Sequence, residues 1–451
     1  LQGRTRSAWQ QTAAWLPAGR QLVGGRLDAT AKLTVIPILG KLLIFDNCPN
    51  IGIGMNPILN PYSPGAGTPP AELAGRDAVR EAVKVCIARL KLGKPTKSLM
   101  MVGLRGVGKT VLLDQMRNDA EQYEAAHTIR IEAPEGRSLP ALLAPQLRLG
   151  LLRLSRVDAA KDYAIRGLRA LAGFASKLKV TYSDIEVGLD FESEPGLADN
   201  GDLEGDLTAL LEQVGIAARA AGTVLVIFID ELQYVEEPQM AALISALHRC
   251  AQSRLPVTVV GAGLPQLRGR MGDAKSYAER LFDFSEIGPL SALDASLAIV
   301  KPAHAEAVVI EDAAVRRIVD ETKGYPYFLQ EWGKHAWDVA SQSPITEADV
   351  ISSSVEAIAA LDESFFRVRF DRLTPSEKKY LRAMAELGPG PHRSGDIAEQ
   401  LRRQVSSLGP TRSSLIGKGM IWSPNHGDTA FTVPLFDEFM TRVMPGDDWE
   451  G

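Results

Sequence analysis

Cysteine is scarce in this 451-residue chain: Cys48, Cys86 and Cys250 are widely spaced and odd in number. That argues against a disulfide framework and against a zinc site, and fits a reducing, cytoplasmic setting. Long apolar runs are missing as well. A membrane helix needs roughly 18 such residues, and the nearest approach, 33–45, is interrupted by Pro37 and Lys41, so no membrane partner is expected. Charge of one sign is not in excess either: 50 Lys and Arg against 55 Asp and Glu leave a net charge of -5. A globally basic nucleic-acid binder is excluded, and any DNA contact has to come from a local patch. A composition that is 45% hydrophobic and 23% charged is ordinary for a chain that builds a large core and two or three domains.

What the chain does have is the stretch 98–110, SLMMVGLRGVGKT. An apolar strand runs into Gly103, Gly106 and Gly108, whose missing Cβ atoms let several backbone N–H groups point inward at phosphate oxygens. Lys109 then meets the β- and γ-phosphates and Thr110 offers a hydroxyl to Mg²⁺, while the helix beginning there aims its positive end at the same anion. Val107 and Val111 complete the loop's contact set for ATP. A second stretch answers it. Residues 224–229 are apolar without interruption, as in a strand buried on both faces of a parallel sheet. Asp230 and Glu231 follow. A carboxylate at that strand end lies beside the phosphate loop, where Asp230 can hold the Mg²⁺ shell and Glu231 can orient or deprotonate a water.

In chain order, residues 1–54 are basic, carrying Arg4, Arg6, Arg20, Arg26, Lys32 and Lys41 against Asp28 and Asp46. Two readings stand, a targeting segment or translated upstream sequence with Met55 as the natural start, and the second is preferred. Residues 1–70 are expected to form a poorly structured extension and 71–289 the P-loop core, in which strands alternate with helices to make a parallel α/β sheet. Within that core, 179–191 alternates near period two around Ser183 and Asp184 and reads as an inserted β-hairpin. Nine acidic residues and no basic one lie between Asp184 and Asp206; a partner-binding or DNA-repelling face and a solvated loop are both compatible with that. Residues 290–371 read as a helical lid. From 372 to 445 the pattern is a winged helix-turn-helix: a capping box at Thr374-Pro375-Ser376-Glu377 opens one helix, Ser394 caps a second over 395–403, Pro410 opens a third to 418, and a hairpin turns at Asn425-His426-Gly427. Its candidate DNA cations are Arg393, Arg402, Arg403, Arg412 and Lys418.

With these residues in view, 70–445 resembles the AAA+ and STAND branch of P-loop ATPases, particularly the origin-recognition-like, archaeal-type ATPases with a C-terminal winged helix. GLRGVGKT and VIFIDELQ carry the resemblance. Gly75 and Arg76, in Leu73-Ala74-Gly75-Arg76, are similar to the family's GR motif beside the adenine, and Gly324-Tyr325-Pro326 to the GxP motif through which Pro326 touches nucleotide. The resemblance implies an ATP-dependent switch that hydrolyses ATP with Mg²⁺, with DNA, a protein partner or a homo-oligomer as its target. Alternatives are a DNA-remodelling or initiator ATPase and a protein-docking module with structural ATP. It also implies that Arg280 is an arginine finger acting on a neighbouring subunit; an ion pair with Glu279 or plain exposure is the other reading. One departure matters: where the family places a polar sensor, this chain has Gly261-Ala262-Gly263, with Gln266 as the nearest substitute.

Overall fold

The computed structural model describes residues 55–65, 67–179 and 191–446. The expected hairpin over 179–191 and the basic segment 1–54 therefore lie, almost entirely and entirely, outside the described residues. Five strands, β1 (Ser98–Val102), β2 (His127–Glu132), β3 (Leu225–Asp230), β4 (Val257–Gly263) and β5 (Phe282–Glu286), form one sheet in the order β2-β3-β4-β1-β5. Every pairing is parallel. All residues of β3 and β4 are buried, because helices cover both faces. Helices Leu139–Leu154, Lys161–Leu178, Leu203–Ala220 and Glu237–Gln252 pack on one face, and Asp77–Lys91 and Lys109–Gln122 on the other. This is the α/β P-loop arrangement read from the sequence. In it β4 separates β1 from β3 and all strands run the same way, so the loop after β1 and the acids ending β3 open onto one edge.

After the sheet come helices Ala292–Ala305, Asp312–Thr322, Pro326–Val339 and Glu347–Ala360, then a π-helical turn Leu361–Phe366 and a short helix Arg367–Phe370. Residues 55–65 pack on this helical unit, which corrects the expectation of a poorly structured extension up to residue 70. Tyr62 is buried with its hydroxyl on the carbonyl of Ile299. The Trp337 indole donates to Asn56 O at 3.1 Å and Asn60 Nδ2 to Asp338 Oδ1 at 2.9 Å. The sequence hid this because one buried tyrosine among prolines and glycines has no period.

The C-terminal unit has helices Pro375–Glu386, Ser394–Gln400 and Val405–Gly417, three short strands β6 (His392–Arg393), β7 (Ile421–Trp422) and β8 (Asp428–Phe431), and a closing helix Phe436–Val443. The strands pair antiparallel in the order β6-β8-β7. The capping box is present, Thr374 and Glu377 bonding each other's backbone N–H. Two starts differ from expectation. Ser394 is the first helical residue of the second helix, with Arg393 at its cap. The third helix starts at Val405 and carries Pro410 inside it: Leu408 and Leu415, seven apart, are both buried, so the helix extends back to seat Leu408 at the cost of one backbone bond. Nor is there a packing gap at residue 372. The helical unit and the C-terminal unit share one apolar core, with Phe366 lying 5.3 Å from Phe439 and 5.8 Å from Phe436 between ring centroids.

Candidate functional site

The loop between β1 and its helix has the backbone that phosphate binding requires. Gly106 and Gly108 take φ of +80° and +85°, a region that costs an L-residue with a Cβ. At Gly103 a Cβ would stand 2.1 Å from the carbonyl oxygen of Ile287. Lys109 opens the helix Lys109–Gln122, and its Nζ donates to the carbonyls of Gly103 at 2.9 Å and Leu104 at 2.8 Å. Burial brings the Lys109 ammonium down to about 8, against the pull of the Glu231 and Asp230 carboxylates. Val107 is buried beneath the loop, and Thr110 and Val111 line the cleft above it.

At the end of β3 the chain turns sharply. Asp230 is buried. Burial raises its pKa, and a hydrogen bond from Thr110 and the nearby Arg130 work against that rise. Thr110 and Asp230, far apart in sequence, are thus in contact: a hydroxyl beside a carboxylate, hard oxygen donors of the kind Mg²⁺ takes together with phosphate and water. Arg130 spans from Asp114 at 2.7 Å to Asp230 at 3.4 Å. Glu231 takes a left-handed φ of +55°, which carries its carboxylate out of the strand line and into the cleft. Strain of this kind costs on the order of 1 kcal/mol and tends to mark a working position.

Gln233 is the residue that sequence reading missed here. Its amide nitrogen donates to Glu231 Oε2, while its Oε1 accepts the backbone N–H of Leu264 at 3.0 Å. It occupies the place beside β4 where a polar sensor was sought. A Cβ on Gly263 would meet Gln233 Oε1 at 2.9 Å, and one on Gly261 would meet Leu232 and Met100 within 2.5 Å. The strand is glycine there because neighbouring side chains fill the space. Gln266 does not line the cleft, and its buried Oε1 has no protein partner.

The cleft holds about 390 Å³. Arg76 lines it, whereas Gly75, at φ +67°, does not; Arg76 donates to the carbonyls of Gly288 at 2.6 Å and Val107 at 3.3 Å. Of the Gly324-Tyr325-Pro326 turn, Pro326 lines the cleft. Gly324 has φ +70°, with Leu290 O where a Cβ would be. Pro326 starts its helix and faces the cleft, and the next residue, Tyr327, donates its N–H to Gly106 O at 3.2 Å. The third contact on the loop was not foreseen: the N–H of Arg105 donates to Thr432 O of the C-terminal unit at 3.0 Å. Arg369 and Phe365, from the end of the helical unit, also line the cleft. Arg105 stood in the motif as a spacer, and nothing in the sequence linked Thr432 or Arg369 to it. Arg280 lies elsewhere, on the short helix Ala278–Leu281, exposed. Among the described residues no carboxylate pairs with it, so the ion pair with Glu279 does not form.

Two of the five expected DNA cations are turned into the fold. Arg412 donates to Thr429 Oγ1 and Asp428 O, both at 3.0 Å, and Lys418 to Glu377 at 2.7 Å and Arg372 O at 3.1 Å. Arg393, Arg402 and Arg403 remain exposed.

A family model described as an AAA ATPase domain matches residues 72–260, and one described as a domain of unknown function matches 363–440. An uncharacterized HTH-type transcriptional regulator of Methanocaldococcus jannaschii is 24% identical over 257 residues, 54% of this chain and 60% of that protein. The chain therefore spans less than two thirds of that relative's length. Of solved structures, the Walker-type ATPase of Pyrococcus abyssi is similar with a TM-score of 0.51 at 14% identity, covering 82% of this chain and 96% of that one. The Orc1 protein of Aeropyrum pernix in complex with DNA gives 0.41 at 15%, covering 83% and 94%.

Proposed function

We propose, for a chain whose residues 72–260 match the family model of an AAA ATPase domain, that it is an ATP-hydrolysing switch whose C-terminal unit reports the state of the phosphate loop. The observation that carries this is the direct bond from Arg105 N–H to Thr432 O. A loop amide of the kind that would turn to phosphate is held by the winged unit, and Gly106 O is held by the helical unit through Tyr327. Nucleotide that reclaims Arg105 N–H must release Thr432, and ATP shifts the two arrangements by its differential affinity for them. In this reading Lys109 and the loop amides bind phosphate, Thr110 and Asp230 would hold Mg²⁺, Glu231 orients or deprotonates the attacking water, and Gln233 keeps the Glu231 carboxylate in place. The ion would supply charge neutralisation on the phosphates. Hydrogen exchange on the full chain tests the coupling. With a non-hydrolysable ATP analogue and Mg²⁺, amides around Thr432 should exchange faster than with ADP. Equal protection in both states counts against the switch.

DNA is the proposed output, read from the winged unit and from similarity to an uncharacterized HTH-type transcriptional regulator. With Arg412 and Lys418 bonded within the fold, the contact is assigned to the exposed Arg393 and Arg403 with Arg402 beside them, and affinity should be phosphate-dominated and fall steeply with salt. That inward turn of two cations also favours a second reading, docking of a protein partner. Duplex binding by the full chain that survives replacement of Arg393, Arg402 and Arg403 by Ala, or no binding at low salt, moves the output to that reading.

A further inference from the structure

Two cations in the cleft stand outside the roles given above. Arg105, between Gly103 and Gly106, donates through Nη2 to the Tyr234 hydroxyl at 2.9 Å. Arg369 lies over the Phe365 ring at 4.1 Å from its centroid and donates to the Phe365 carbonyl. The π-helical turn Leu361–Phe366 that presents Phe365 is followed at once by the short helix that carries Arg369. Such turns are uncommon and gather at functional sites. Phe365 is itself stacked on Tyr327 at 4.8 Å, so the guanidinium is held by an aromatic shelf.

Among the described residues, neither arginine has a carboxylate partner. The acids of the cleft are engaged elsewhere: Glu72 pairs with Lys301 at 2.9 Å, and Glu231 accepts from Gln233. Arg105 is close enough to both Lys109 and Arg369 for its charge to oppose theirs. Burial, then Arg105, bring the Arg369 guanidinium down to about 10. Three cations in a row in a partly desolvated cleft repel one another, and the arrangement becomes favourable when an anion sits among them.

Position identifies the anion. Arg105, which neighbours both Lys109 and Arg369, is tied to Tyr234, three residues beyond Glu231, and Arg105, Lys109, Glu231 and Arg369 all line the one cleft. We propose that Arg105 and Arg369 receive the terminal phosphate of a nucleoside triphosphate from within one chain, so that the subunit distinguishes tri- from diphosphate without an arginine supplied by a neighbour. This rests on the nucleotide reading of the cleft. Because Arg105 also carries the N–H bound to Thr432, the residue that meets this phosphate is the residue that holds the winged unit.

The test is titration of the full chain with ADP and with a non-hydrolysable ATP analogue, each with Mg²⁺, on the parent, Arg105→Gln, Arg369→Gln, Arg369→Lys and Arg280→Ala. Loss of a charge-assisted phosphate contact should weaken the analogue by roughly tenfold or more in each Gln variant and leave ADP within about twofold. Arg369→Lys should fall between, and Arg280→Ala should keep the parental ratio. Unchanged ratios in Arg105→Gln and Arg369→Gln, or equal loss of both nucleotides, overturn the pair while leaving the nucleotide reading intact. A parent that binds neither nucleotide overturns that reading, and the pair with it. If Arg369→Gln fails to fold by thermal melting, Arg105→Gln and Arg369→Lys decide the matter by the same ratio.

Discussion

In the proposed reading, Lys109 is the residue on which phosphate affinity depends most. Its ammonium is buried against two loop carbonyls, positioned with little entropy left to lose on meeting an anion. Lys109→Ala should abolish tight ATP binding although Thr110 remains, and calorimetric titration checks it; affinity retained within about threefold would contradict the assignment. Glu231→Gln separates binding from turnover. The amide keeps the shape but accepts a proton poorly, so ATP should still bind while steady-state hydrolysis stops. Parental turnover in that variant would remove Glu231 from the chemistry. Asp230→Asn should instead weaken the dependence of ATP binding on Mg²⁺, since the contact with Thr110 survives but the charge does not.

Helix ends carry the argument at the next scale. The helix Pro375–Glu386 begins with Thr374 capping Glu377 and Glu377 capping Thr374, and Thr374→Ala should cost about 1 kcal/mol. Glu377 does more than cap. Burial pushes its carboxyl up, but the Lys418 ammonium, the Thr374 N–H and the Ser414 hydroxyl prevail and hold it at about 2, below its ordinary 4.5. A depressed carboxylate stabilises the fold fully above the unfolded value and ceases to do so as pH falls through the folded one. The difference in melting temperature between the parent and Glu377→Gln should therefore be largest near pH 6 and shrink between about 4.5 and 2. A constant difference across that window would show that packing, not charge, sets the contribution of Glu377. The same pair explains why Lys418 is a poor DNA ligand: reaching a phosphate would strand a buried carboxylate.

For the molecule as a whole the open quantity is whether hydrolysis needs a second subunit. Arg280 is exposed and off the cleft, so it can reach a nucleotide only in a neighbour. If it acts there, turnover per subunit should rise with protein concentration and fall when Arg280→Ala chains are mixed in, by up to on the order of 10³ at full effect. If Arg105 and Arg369 suffice, the rate should be flat with concentration and indifferent to Arg280→Ala. The helical and C-terminal units share a core, with Phe366 against Phe436 and Phe439, so in the proposed switch a change at the loop would be carried as a rigid displacement of both rather than through a flexible linker.

Contiguous residues determined much of this. The apolar run 224–229 made β3, GLRGVGKT made the loop, and Thr374 to Glu377 made a capped helix, because in each case neighbours along the chain are the interacting partners. The left-handed Gly106 and Gly108 belong here too, since backbone conformation is a local property. What only tertiary structure decided is which distant groups meet: Gln233 with Leu264, Arg105 with Thr432, and Arg369 with the cleft. These contacts join segments up to hundreds of positions apart, and no period or spacing encodes them. Arg412 shows the same limit from the other side: its charge was legible, but its direction was set by where β8 placed Asp428 and Thr429. Charge is a property of the residue, whereas the partner that neutralises it is a property of the fold.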